Sequence, residues 1–263
     1  MGDISSPEYL DIPASANGFK ARKIAVRQVA GSSPTIIWLG GFCSDMLATK
    51  ATYLDAWARR NGQAFVRFDY SGHGESAGDF SDCTISQWLD DVHHVIKHCA
   101  HEPVILVGSS MGGWLALLAT RKLSEEKAPN APLGLLLIAP AVDFTQELMW
   151  DHFSDDIKLQ IQEHGAWLRS SAYSPEPTPI TRKLMEDGRK NLLFGQPIIT
   201  GCKVHILQGM TDPDVPYTHA IKLVEHLQAD QTTLTLIKGG DHRLSKDQDL
   251  TILSRALTHM LEK

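Results

Sequence analysis

The sequence predicts an α/β fold, a mostly parallel sheet covered by helices on both faces. Two observations carry this expectation. Short, unbroken runs of β-favouring apolar residues alternate along the chain with stretches of helical periodicity. Nearly every apolar run ends in a turn rich in Gly, Ser or Asp, where open parallel sheets bind their ligands. The length of 263 residues and a hydrophobic share of 43% suit one large domain over 1–263, with a cap inserted at about 144–200.

Residues 23–29 (KIAVRQV) alternate apolar and polar side chains, the pattern of a half-exposed edge strand. Residues 35–39 (TIIWL) form a buried strand that ends in Gly40-Gly41-Phe42-Cys43. A helix over 53–60 stops at Asn61-Gly62, and a strand over 64–68 empties into a turn-rich loop containing Gly72-His73-Gly74. Residues 84–99 make the clearest amphipathic helix, with Ile85, Trp88, Leu89, Val92, Ile96 and Cys99 on one face and a capping box at Thr84-Ile85-Ser86-Gln87. Strands follow at 104–107, 133–138, 204–207 and 233–237, and helices at 114–119, 220–227 and 250–261. Such alternation places every strand beside a crossover helix.

Composition excludes several classes. A net charge of −6 with no basic run leaves no footprint for nucleic acid. No apolar run approaches the roughly 20 residues that span a bilayer. The four cysteines (Cys43, Cys83, Cys99, Cys202) are scattered, which argues against a disulfide framework or a zinc site and for a reducing, cytoplasmic compartment. Asp3, Glu8 and Asp11, with no Lys or Arg in the first nineteen residues, argue against a targeting segment. His93, His94, His98 and His101 cluster but fall on the polar side of their helix, so a solvated face is expected there and no metal. His73 reads as structural.

The chemistry concentrates after the strand ends. Gly108-Ser109-Ser110-Met111-Gly112 is a G-x-S-x-G between a strand and a helix, the setting of a nucleophile elbow. Gly108 and Gly112 let strand and helix approach around a strained Ser110. A serine hydroxyl needs a base, and the base an orienting carboxylate. His242, in Gly240-Asp241-His242, is the histidine that follows the last strand. Asp212, Asp214 and, more remotely, Asp143 are the available carboxylates. Two backbone N–H donors would meet the oxyanion: Met111, just after the serine, and Phe42 from the loop after Leu39. The Phe42 side chain can equally wall an apolar pocket. No cofactor is called for.

These residues resemble the α/β-hydrolase superfamily across essentially the whole chain. Within it, the combination of Gly41-Phe42-Cys43-Ser44-Asp45-Met46, Arg67-Phe68-Asp69-Tyr70-Ser71-Gly72, Gly108-Ser109-Ser110-Met111-Gly112-Gly113-Trp114 and Asp241-His242-Arg243 is similar to the palmitoyl-protein thioesterase group, also described as acyl-glucuronide esterases. The resemblance implies an α/β-hydrolase fold and a cofactor-free serine hydrolase acting on esters or thioesters. Ser110, Asp212 and His242 would be its catalytic triad, Asp212 standing in the G-x-x-D-x-x-V-P usual for the acid. The chain has Gly40-Gly41 where many members have His-Gly, so that histidine's contribution is missing. The group is mitochondrial in animals; that location is not carried over.

The implied partner is a small-molecule or acyl-protein ester or thioester. Apolar residues of the cap, with Trp167 and Tyr173 as the named candidates, could contact an acyl chain or merely pack the cap onto the sheet. Arg169, Arg182, Lys183, Arg189 and Lys190 could meet an anionic group or form a solvated face. The same triad also serves carbon–carbon bond hydrolases and peptidases, and the fold also hosts ligand-sensing proteins.

Overall fold

The computed structural model describes residues 6–15, 18–171, 174–228 and 231–262. Its centre is an eight-stranded sheet in the order β1-β2-β4-β3-β5-β6-β9-β10. The strands are β1 (Glu8–Ile12), β2 (Arg22–Val29), β3 (Ser32–Leu39), β4 (Gln63–Phe68), β5 (Val104–Ser109), β6 (Pro132–Ile138), β9 (Lys203–Gly209) and β10 (Thr232–Ile237). From β4 to β10 all neighbours pair in parallel; β2 runs against both β1 and β4.

Strand periodicity sorts the core into two layers. Ile37, Leu39, Leu106, Leu135, Leu137 and Ile206 point to the face covered by α2 (Ile85–Cys99), α3 (Met111–Glu125) and α6 (Tyr217–His226). Ile36, Trp38, Ile105, Val107, Leu136 and Ile138 point to the other face, against α1 (Thr49–Asn61) and α7 (Asp247–Leu261). Strands buried on both faces must read as continuous apolar runs, and these do.

Two expectations need correction. Residues 23–29 are not at an edge: β2 lies between β1 and β4, and Arg22, Ile24, Ala25, Val26 and Arg27 are all buried. Its two buried guanidinium groups are neutralised by ion pairs, Arg22 with Asp90 and Asp91 and Arg27 with Glu75, while Lys23 and Gln28 stay exposed. The histidine cluster is not uniformly solvated either. Burial pushes the His93 imidazole down to about 4.

Between β6 and β9 the chain leaves the sheet. It forms a π-helical turn (Thr145–Met149), α4 (Asp155–His164), an antiparallel hairpin of β7 (Ala166–Ser171) and β8 (Ser174–Thr181), and α5 (Arg182–Gly188). Pro175, Pro177 and Pro179 occupy alternate positions of β8. Pro179 lies in the regular ladder opposite Leu168, and the register shifts between Thr178 and Ser174, where Pro175 and Pro177 fall.

Candidate active site

Ser110 separates β5 from α3, with φ 54° and ψ −117°. A serine rarely occupies this conformation, and the packing around it imposes it. Its amide donates to the Ile138 carbonyl at 2.9 Å, and its own carbonyl accepts from Gly113 at 2.9 Å and Ala141 at 3.1 Å. The neighbouring glycines leave no room for a side chain. A Cβ on Gly108 would stand 2.3 Å from the Gly112 carbonyl oxygen, and one on Gly112 would stand 2.1 Å from that of Leu39.

The loops after β9 and β10 are laced together. Met210 N–H donates to the Ile237 carbonyl and Thr211 N–H to the Gly240 carbonyl, each at 2.9 Å. Asp212 and His242 meet as a result. Their contact, His242 Nδ1 to Asp212 Oδ2, is 2.8 Å, and His242 Nε2 lies 3.2 Å from Ser110 Oγ. With a carboxylate accepting at Nδ1, the hydrogen sits there and Nε2 offers its lone pair to the hydroxyl. The Asp212 carboxylate is buried; Oδ1 accepts the amides of Asp214 and Val215, and Oδ2 also accepts from Gln208 Nε2 at 3.2 Å.

The other two candidate acids make different contacts. Asp143, itself at φ 54°, accepts the amides of Leu193 and Phe194 and so pins the end of the inserted segment. Desolvation pushes its carboxyl up to about 6. Asp214 is joined to Arg169 of β7 at 3.9 Å. Asp212, Asp214 and His242 lie close enough to suggest a metal set. The donor chemistry does not fit one, because both Asp212 oxygens and His242 Nδ1 are already hydrogen-bonded within the protein.

The loop after β3 runs beside Ser110: a Cβ on Gly41 would lie 3.4 Å from Ser110 Cβ. Among the described residues, neither the Phe42 nor the Met111 amide donates to a protein acceptor. Met111 opens α3, where the helix dipole favours negative charge. The Phe42 ring sits in an aromatic group, 5.1 Å from Phe80, 5.5 Å from Phe144 and 5.9 Å from Trp88. The next residue, Cys43, is exposed and touches Thr178 of β8 at 3.8 Å.

The hairpin therefore contacts the site's surroundings from two sides, through Thr178 and Arg169, which are cross-strand partners. Trp167 packs on Phe153 at 5.3 Å within the inserted segment. Tyr173 lies outside the described residues. Three of the other cations are engaged: Arg189 over the Trp150 ring, Arg182 with Glu186, Lys183 with Asp82. Sequence reasoning missed Gln208, the buried amide that steadies Asp212; its one signal was a polar residue ending an apolar strand. It also missed Lys50, whose ammonium donates to the Arg243 carbonyl next to His242.

Comparison with known proteins gives the family and the fold. The serine aminopeptidase S33 family matches residues 34–176. A Bos taurus protein, palmitoyl-protein thioesterase ABHD10, mitochondrial, is 32% identical over 243 residues, covering 91% of this chain and 77% of that protein. The chain belongs to this α/β-hydrolase family. Its fold superposes on a crystal structure of an Agrobacterium vitis S4 protein with a TM-score of 0.92 at 48% identity, over 98% of this chain and 100% of that one. Mouse α/β hydrolase domain-containing protein 10 gives a TM-score of 0.86 at 29% identity, with 98% of each chain covered. No helix among the described residues of this family member is long and apolar enough to cross a membrane.

Proposed function

We propose that this protein is a serine hydrolase that cleaves carboxylic thioesters or esters through an acyl-enzyme on Ser110. The observation that carries the reading is His242, which bridges Asp212 at 2.8 Å and Ser110 at 3.2 Å. His242 Nε2 takes the hydroxyl proton as Ser110 Oγ attacks the carbonyl, and Asp212 holds the ring and stabilises the imidazolium. The Phe42 and Met111 amides receive the oxyanion. His242 then protonates the leaving thiol or alcohol, and water, deprotonated by His242, releases the acid. No cofactor enters this scheme.

Thioesters are favoured because the bovine relative is named as a palmitoyl-protein thioesterase. A peptidase reading, suggested by the family's name, asks for a carboxylate to hold a substrate ammonium. Asp214, the carboxylate adjoining the triad, is already faced by Arg169. Residues 144–200 act as a cap, with Trp167 among the candidates for the acyl chain. Among the described residues the four cysteines form no disulfide, which suits a reducing, cytoplasmic location; the mammalian relatives are named as mitochondrial.

Initial rates on p-nitrophenyl esters and acyl thioesters of increasing chain length test the reading. Turnover that Ser110→Ala abolishes supports it. Wild-type protein inert toward the whole series would overturn it.

A further inference from the structure

We propose that His73 is a positioning residue for the oxyanion loop: its Nε2 holds the Cys43 N–H and thereby keeps the adjoining Phe42 amide turned toward the carbonyl oxygen of a substrate on Ser110. The inference rests on the hydrolase reading above and adds a residue outside the triad to it.

Within the loop over residues 40–46, the Ser44 N–H donates to the Gly41 carbonyl at 3.1 Å, closing a turn on Phe42 and Cys43. Cys43 lies at φ 57°, a region that side-chain-bearing residues seldom occupy. The contacts that anchor this turn to the rest of the protein come from β4 and the loop after it. The Tyr70 hydroxyl donates to the Gly40 carbonyl at 3.2 Å, and Asp69 Oδ1 accepts the Met46 amide at 2.6 Å. The Arg67 guanidinium donates to the Met46 carbonyl at 2.7 Å. His73 Nε2 accepts the Cys43 amide at 3.3 Å, one residue from Phe42. These contacts fix both ends of the loop and, through His73, its middle.

The direction of the His73 bond follows from its other nitrogen. Nδ1 stands 3.1 Å from the Ser71 carbonyl, which only accepts, so Nδ1 carries the hydrogen and Nε2 the lone pair. The ring is buried edge-on against Tyr70, Phe80 and Trp88. Phe80 and Trp88 also pack on the Phe42 ring, so one aromatic group braces both residues. Burial pushes the imidazole down to about 4, which keeps Nε2 an acceptor near neutral pH. A phenyl ring would fill this space as well; what the imidazole adds is two directed polar atoms.

The test compares His73→Asn, which keeps a donor where Nδ1 lies and loses the acceptor, with His73→Gln, whose amide oxygen reaches toward the Nε2 position. Each is assayed for kcat and KM on a p-nitrophenyl ester and for affinity toward an alkyl trifluoromethyl ketone, which forms an oxyanion adduct on a nucleophilic serine. Removing an oxyanion donor outright costs about 10²–10³ in kcat, so loosening one predicts a loss of about ten-fold. The expected result for His73→Asn is that fall in kcat, KM within two-fold, and a matching loss of ketone affinity, with His73→Gln recovering most of both. Unchanged ketone affinity in His73→Asn would overturn the proposal while leaving the hydrolase reading intact. Wild-type protein that neither turns over ester nor binds the ketone would overturn both. Should His73→Asn fail to fold, Tyr70→Phe releases the same loop at Gly40 and must weaken kcat and ketone binding together; ketone binding unchanged there also counts against the proposal.

Discussion

The Arg169 guanidinium of β7 stands 3.9 Å from the Asp214 carboxylate, two residues beyond Asp212. This contact ties the inserted hairpin to the loop that holds Asp212. Both side chains are partly exposed, so the tie contributes no more than about 1 kcal/mol. Arg169→Met should raise KM for esters roughly two- to five-fold and leave kcat nearly unchanged, a change of the size such a tie can carry. High salt should shift wild-type KM in the same direction and move the variant little. Equal salt responses in the two proteins would deny the tie its role.

Asp212 locks the imidazole through Nδ1, so Asp212→Asn should leave the geometry in place but favour the wrong tautomer. The expected loss is about 10⁴ in kcat, with KM little altered. Steady-state kinetics on one ester suffices, and a loss below ten-fold would point to a different acid.

Gly112 sits where a Cβ would meet the Leu39 and Gly40 carbonyl oxygens at 2.1 and 2.6 Å. Both obstacles are backbone, so α3 would have to move off the end of β3. Gly112→Ala should destabilise the fold by about 3 kcal/mol or more, readable as a fall in the urea midpoint. A midpoint like the wild type's would mean that the elbow tolerates a wider helix.

Asp143 supplies a pH signature. Its carboxyl is raised to about 6 from 3.8, with desolvation the leading cause. The unfolded chain therefore ionises it first, and its contribution to stability declines as pH climbs from about 4 to about 6, then levels off. The decline is of order 2–3 kcal/mol. Asp143→Asn removes that titration, so the stability difference, wild type minus variant, should fall across this window and stay flat above it. Denaturation curves at pH 4, 5, 6 and 7 check the sign; a difference that rises with pH would reverse it.

The relation between sequence and structure differs from element to element. That Ser110, Asp212 and His242 come together was legible because each follows an apolar strand and carries a local pattern that needs no partner to be seen. The glycines around Ser110 were legible for the same reason, since their role is steric and lies within a few residues. β2 was misread as an edge strand because β1, spelled Glu-Tyr-Leu-Asp-Ile, looks too polar to be its neighbour. The β7–β8 hairpin escaped notice because three prolines in eight residues argue against a strand unless only one edge is used. Gln208 and His73 act through contacts that no local spacing encodes. His73 meets Cys43 thirty residues away.

The most direct test of the account is covalent. A fluorophosphonate probe reacts with a serine only where a base activates it and an oxyanion site receives the adduct. After incubation of the native protein, peptide mass spectrometry should find one adduct, on the peptide containing Ser110, absent from Ser110→Ala and strongly slowed in His242→Ala. No adduct on the native protein, or equal labelling of Ser110→Ala, would contradict the assignment of Ser110 as the nucleophile.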